Sequence, residues 1–162
     1  MAAVDEQGYR PNVGIIICND AREVFWACRI GGTGWQFPQG GIDENEDPEQ
    51  AMYRELYEEV GLGPDHIEVI GRTQEWLYYD LPSHFLRNQR SGQSNFRGQK
   101  QVWYLLKLAC DEGEVCLSRS NKPEFENWEW VEYWKPIEHV IDFKRDVYQQ
   151  ALQELEPLLE YI

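Results

Sequence analysis

Glu55, Glu58 and Glu59 crowd into the stretch RELYEEVGL, residues 54–62, just ahead of a helix-stopping glycine. At about 100° per residue, a helix here puts Met52, Leu56 and Val60 along one side with Tyr53 and Tyr57 beside them. The three glutamates then share an arc of about 100° on the opposite side. One face is expected to be core and the other acid. Glu55 and Glu59 are four residues apart, and a like-charge pair at that spacing costs roughly 0.2–0.5 kcal/mol. Glu58 and Glu59 also occupy the last turn, where the helix dipole disfavours anions by about 0.3–1 kcal/mol. A helix built for packing alone would carry Lys there. Arg54 can pair with Glu58 at i, i+4, but one guanidinium cannot neutralise three carboxylates, so the cluster calls for a cation. Hard divalent ions take oxygen ligands, and Mg²⁺ in particular takes one or two carboxylates together with waters and substrate phosphates. That is the composition of a phosphoryl site. His66, His84 and His139 show no ligand spacing, so zinc is not expected.

The elements that must position this cluster are well signposted. Asp47 reads as the N-cap of the glutamate helix, with Pro48 at its first position, Gln50 three residues after the cap, and Gly61 at its end. Short apolar or alternating runs at 13–18, 24–30, 67–72, 75–79, 102–108 and 128–133 predict strands, the first two joined as a hairpin through Asn19 and Asp20. The segment GGTGWQFPQGG reads as a loop. A second helix is predicted from residue 144 to about 155, with apolar residues at Val147, Tyr148, Ala151, Leu152 and Leu155 and Pro157 beyond them. Strands outnumber helices, so the class is α+β. At 162 residues and 42% hydrophobic, one domain over 1–162 is expected, with residues 1–7 a flexible N-terminus.

Composition narrows the setting. The sequence shows no signal peptide and no apolar run near the ~18 residues of a membrane span, which predicts a soluble, cytoplasmic protein with no membrane partner. Cys18, Cys28, Cys110 and Cys116 form no C-x-x-C pair, and three lie in apolar runs, which predicts buried reduced thiols. The net charge of -14 argues against binding nucleic acid by its backbone. Residues 81–110, however, hold Arg87, Arg90, Arg97, Lys100 and Lys107 with no Asp or Glu, leaving the rest of the chain at -19.

The wider stretch GGIDENEDPEQAMYRELYEEVGL has Gly40, then Glu46 after five residues, then after seven more the run Arg54-Glu55-Leu56-x-Glu58-Glu59-x-Gly61-Leu62. This resembles the Nudix box of the Nudix hydrolases at every fixed position. The resemblance implies a Nudix fold, an α/β/α sandwich with a mixed sheet whose loop-helix-loop box binds Mg²⁺ or Mn²⁺, more than one ion, with no organic cofactor. It implies hydrolysis of a nucleoside diphosphate linked to another group. Glu55, Glu58 and Glu59 would hold the metals with the Gly40 carbonyl, one of these or a neighbouring glutamate taking the proton of the attacking water. Arg54, Glu46 and Gly61 would support the box. Clustered divalent ions suit this chemistry, since they polarise phosphate oxygens and acidify water.

Outside the box, GYRPNVGI, WQFPQGGI, GQKQ, PEFENWEWVEYW and FKRDVY resemble the bacterial RNA pyrophosphohydrolase, or (di)nucleoside polyphosphate hydrolase, group. Such enzymes convert 5′-triphosphate or diphosphate RNA ends to monophosphates, which promotes mRNA decay. The resemblance implies Glu124 as a further metal ligand. It implies Arg10, Gln99 and Lys100 near the 5′ phosphates, and Arg29, Ile141, Phe143 and Lys144 around an RNA base, which is commonly read by stacking on rings or guanidinium planes. Relatives imply diaminopimelate epimerase as a possible partner. The chain departs from the pattern at Val102, at Gly34 after Thr33, and over residues 88–95. The alternatives are an Ap4A-type dinucleoside polyphosphate hydrolase and a catalytically silent nucleotide- or RNA-binding module.

Overall fold

The computed structural model describes residues 3–89 and 95–162. In chain order the elements are β1 (Tyr9–Cys18), β2 (Val24–Arg29), β3 (Trp35–Gln36), β4 (Gln39–Gly41), α1 (Pro48–Val60), β5 (Ile67–Arg72), β6 (Leu77–Asp80), α2 (Ser83–Gln89), β7 (Gly98–Leu108), β8 (Phe125–Val131), α3 (Lys135–His139) and α4 (Arg145–Leu155). Single 3-10 turns lie between several of them.

β1 and β7 form a parallel spine, in register from Tyr9 opposite Gly98 to Cys18 opposite Lys107. Both contain continuous buried runs, as strands covered on two faces should. β5 and β6 line the far edge of β7, each antiparallel to a different half of it. On the other side, β2 meets β1 at Cys18 opposite Val24 and then continues with β8 as its partner. The turn between them is held by the Asn19 side chain, which accepts from the Ala21 and Glu23 amides, both at 3.0 Å. The expected hairpin is therefore present. β3 pairs with β2 and β4 pairs with β1, so the arm that carries them occupies the space where β1 and β2 part.

Strand alternation sends Val13, Ile15, Ile17, Tyr104 and Leu106 to one face, where they pack against Met52, Leu56 and Val60 of α1. Ile16, Trp103 and Leu105 go to the other face, against Val147, Tyr148, Ala151 and Leu152 of α4. The result is the expected α/β/α sandwich with a mixed sheet. The caps of α1 form as read: Asp47 accepts from the Gln50 amide at 2.8 Å and the Gln50 side chain accepts from the Asp47 amide at 2.9 Å. Gly61 ends the helix at φ 78°, in the left-handed region that favours glycine.

Two strands arise in the segment that reads as loop, and two helices where the sequence marks no element. β3 and β4 are two and three residues long, too short for any periodicity, and α2 and α3 are also brief. The strand expected at 75–79 runs instead from Leu77 to Asp80, and that expected at 128–133 runs from Phe125 to Val131. Of the thiols, Cys18 is buried, but Cys28, Cys110 and Cys116 are only partly so. In the expected N-terminal segment, Asp5 accepts from the Gln7 and Tyr9 amides, both at 2.9 Å, which ties residues 5–7 to the start of β1. Among the described residues no helix is long and apolar enough to cross a membrane.

Candidate active site

The helix-face expectation needs correction. Glu55 and Glu59 are 9% and 4% exposed, whereas Tyr57, expected beside the core, is 51% exposed. The acid side of α1 is turned toward β4, and Gly40 leaves room for it: a Cβ there would overlap the Glu55 carboxylate. The two buried carboxyl groups are hydrogen-bonded to each other, and the Gln39 backbone amide donates to Glu59. Burial raises the pKa of Glu55 above the usual carboxylate value. Glu59 is raised well above it, by burial first and then by the charges of Glu55 and Glu124. At least one of the pair therefore holds a proton more tightly than a free glutamate does.

Arg54 organises the near side of this cluster. Its Nε and Nη2 donate to both oxygens of Glu46 at 2.7 and 2.8 Å, a bidentate pair. Nη2 also donates to the Gly41 carbonyl at 2.8 Å, and Nη1 to Glu55 at 2.7 Å. Glu58 lies further from Nη1, at 3.5 Å. Glu46 in turn accepts from the Asp43 amide at 2.9 Å, so one guanidinium clamps the loop before α1, the arm and the helix together. Its hydrogen bond to Arg54 is the largest influence on the Glu46 carboxyl, whose pKa is held below the ordinary value.

Glu55, Glu58 and Glu59 line a pocket of ≈ 570 Å³ together with Glu124, brought from just before β8. The Glu124 carbonyl accepts from the Ile30 amide at 3.0 Å, which fixes this segment against the end of β2. Among the described residues, no three acid, Cys or His side chains already converge as a finished metal shell. The donor set nonetheless fits a hard cation. It is composed of carboxylates, and Glu59 Oε2 is buried without a hydrogen-bond partner, an unmet demand that a cation would satisfy.

A second cleft, ≈ 500 Å³, is lined by Arg29, Trp35, Phe85, Ile141, Phe143 and Lys144 among others. The residues expected around a base, Arg29, Ile141, Phe143 and Lys144, thus come together from two distant segments. Phe143 packs against Tyr79 and Phe85 with ring centroids 6.0 and 5.2 Å away. Lys144 joins the cleft to the carboxylates: its Nζ donates to the Gln36 and Gln39 side chains, both at 3.3 Å, and the Gln39 amide is the donor to Glu59. Tyr148 anchors the same arm by accepting from the Phe37 amide at 3.0 Å.

Burial, followed by the Arg29 charge, lowers the Lys144 pKa from 10.5 to about 8. A lysine lowered on folding makes the folded state bind this proton less tightly than the unfolded chain does, so its charge opposes folding, and stability rises as pH climbs through about 8 toward 10.5. Lys144→Met is accordingly expected to melt a few °C above the parent at neutral pH. The gap should narrow by the upper end of that window. A constant gap in melting scans across the window would show that the lysine carries no such burden.

The residues expected near phosphate divide. Arg10 and Gln99 are in register on neighbouring strands and share the α4 face of the sheet. The Arg10 guanidinium lies 4.3 Å from the Phe96 ring centre, and Gln99 Oε1 is buried without a partner. Lys100 points to the opposite face, as adjacent residues of a strand must. It pairs with Asp5 at 3.0 Å over the Trp76 ring, so the structure does not bring it together with the other two. In the same basic window Arg97 pairs with Asp80 at 2.9 Å and Lys107 with Asp20 at 3.6 Å. Arg90 and residues 90–94 of the divergent segment lie outside the described residues.

Sequence reasoning missed Trp35, Phe85 and His139 in the cleft, and the run Arg119 to Lys122 in the acid pocket. Trp35 stands in the conspicuous stretch WQFPQGG, a signal that was available. Phe85 and Arg119 sit in polar segments whose folding back against the site depends on tertiary structure.

Comparison with known proteins agrees with this geometry. The NUDIX domain model matches residues 8–151, and the chain belongs to that family. It is a Nudix hydrolase, a pyrophosphohydrolase acting on phosphoanhydrides, a class that generally uses divalent metal ions. An Ap4A hydrolase from C. elegans, solved as a binary complex, is similar at 22% identity over 94% of this chain and 98% of that one, with a TM-score of 0.65. The E. coli dihydroneopterin triphosphate pyrophosphohydrolase is similar at 19% identity over 89% and 95%, TM-score 0.69. The NUDIX domain of Shewanella oneidensis NrtR, solved with ADP ribose, is similar at 19% identity over 90% and 87%, TM-score 0.55. At these identities the likeness is one of fold.

Proposed function

We propose that this chain is an RNA 5′-pyrophosphohydrolase, converting triphosphate or diphosphate ends to monophosphates with Mg²⁺ or Mn²⁺. The supporting observation is the aromatic and cationic cleft beside the carboxylates. Arg29, Trp35 and Phe143 offer flat faces to one base, and Lys144 bridges through Gln39 toward Glu59. A base held there leaves its 5′ phosphates to reach the acid pocket. The carboxylates of Glu55, Glu58, Glu59 and Glu124 would hold the ions, with the Gly40 carbonyl as a further ligand. When bound, such ions neutralise phosphate charge and acidify the attacking water. Arg54 keeps the Glu55 carboxylate in place, and the proton released by water passes to a carboxylate of the cluster.

A dinucleoside polyphosphate is the rival substrate, and one observation favours it. Lys100, expected at the 5′ phosphates of RNA, is committed to Asp5 on the other face. The acid set, complete at Glu55, Glu58, Glu59 and Glu124, argues against a silent binding module. The test is kcat/KM on triphosphorylated RNA and on Ap4A side by side, with Phe143→Ala in parallel. RNA is expected to be the better substrate. The substitution should cost about 10- to 100-fold on RNA, the worth of one stacked base at about 1–3 kcal/mol, and less on small nucleotides. A wide advantage for Ap4A would overturn the RNA reading, and equal losses on both would make Phe143 a packing residue.

A further inference from the structure

Four glutamates line the acid pocket, and its other wall has the opposite sign. Arg119 and Lys122, with Ser120 and Asn121 between them, line the same ≈ 570 Å³ space from the segment before β8. Arg119 is held in place from behind. Its Nε donates to the Gly61 carbonyl at 3.1 Å, and its guanidinium carbon lies 5.9 Å from the centre of the Tyr57 ring. The contact with Gly61 places a cation at the C-terminus of α1, a helix with no basic residue in its last turn. That accounts for one edge of the guanidinium only. The remaining N–H groups belong to a side chain fixed at the rim of a pocket whose opposite wall is carboxylate. Arg54, the other guanidinium at this cluster, is already occupied by Glu46, Glu55 and the Gly41 carbonyl.

We propose that Arg119 and Lys122 bind the phosphates of the substrate that lie beyond the scissile anhydride, the group that leaves a triphosphate end as pyrophosphate. The direction of the chain rests on the base occupying the cleft as proposed above. The cleft lies on the Lys144 side of Glu59, whereas Arg119, over the Tyr57 ring, and Lys122 line the acid pocket itself, so phosphates running from the cleft past Glu59 meet these cations. A planar guanidinium suits paired phosphate oxygens, and a lysine on an exposed loop can follow the group as it leaves. Charge on the departing oxygens grows as the anhydride opens, which makes cations at this position most effective late in the reaction.

The experiment uses inorganic pyrophosphate as the probe, titrated calorimetrically into the protein in saturating Mg²⁺, with AMP as control ligand. Lys122→Gln is expected to weaken pyrophosphate about tenfold. The double variant R119Q/K122Q should weaken it about a hundredfold, the scale of losing two charge-assisted hydrogen bonds. AMP affinity should stay within about twofold in both. An unchanged pyrophosphate affinity in Lys122→Gln overturns the proposal, and that variant leaves the Gly61 contact intact if the double variant fails to fold. Parallel losses of pyrophosphate and AMP also overturn it, since they mark a loosened site. A wild-type preference for Ap4A would sink the RNA reading but leave this result standing, because both substrates carry phosphates beyond the bound nucleotide.

Discussion

Glu59→Gln is expected to lower turnover by about two to four orders of magnitude while raising the melting temperature of the metal-free protein. The two effects share one cause. Glu59 is almost wholly buried, is hydrogen-bonded to Glu55, and has an oxygen with no hydrogen-bond partner. A carboxylate in that position is costly to fold around and is useful only to a cation. The sign with pH follows from the raised pKa values of Glu55 and Glu59. A carboxyl raised on folding binds its proton more tightly in the folded state, so its contribution is fully present below the unfolded value near 4.5 and is lost as pH rises through the folded values. The metal-free wild type should therefore lose stability between mildly acidic and neutral pH, and Glu59→Gln should flatten that slope. Added divalent ion should raise the wild-type melting temperature by mass action and leave the variant nearly unmoved. Melting scans with and without Mg²⁺ at two pH values decide the matter. A variant that retains ordinary turnover, or one that responds to Mg²⁺ like the wild type, would remove Glu59 from the metal site.

What the sequence made legible was local. The α1 caps at Asp47, Gln50 and Gly61 were readable because capping is a transaction among neighbours in the chain. The gathering of Glu55, Glu58 and Glu59 at one pocket was readable because their spacing puts them on one arc of α1. The burial of Glu55 and Glu59 was not, because it depends on β4, a three-residue strand whose only mark is Gln-Gly-Gly. An arc of acids drawn on a helical wheel is normally a solvated face, and here it is the face turned to a glycine arm. The opposed directions of Gln99 and Lys100 were legible in principle. Once residues 98–108 are a strand, adjacent side chains must part company, and a resemblance motif that names both conceals this. Arg119 could not be found from sequence, since its partners at Gly61 and Tyr57 are some sixty residues away.

Gly40→Ala tests the buried pair from the opposite wall and is expected to separate activity from stability more cleanly than any carboxylate substitution. Gly40 sits in β4 opposite Val13, in backbone that alanine can adopt. The atoms nearest the added methyl are those of the Glu55 carboxylate. That group is the far end of a flexible side chain, so it can swing aside and the sheet need not move. Stability should change by less than about 1 kcal/mol, because part of what is lost is an unfavourable burial of charge. Turnover should fall about a hundredfold or more, since a carboxylate displaced by an ångström no longer holds its ion or its bond to Arg54. Glu55→Asp withdraws the carboxylate by one methylene and supplies the complementary change. Alone it should also cost activity. Combined with Gly40→Ala it should cost much less than the product of the two, a coupling that reports direct contact. Full additivity in that cycle, or a Gly40→Ala enzyme of normal turnover, would mean that the room at Gly40 serves the backbone and not the Glu55 carboxylate.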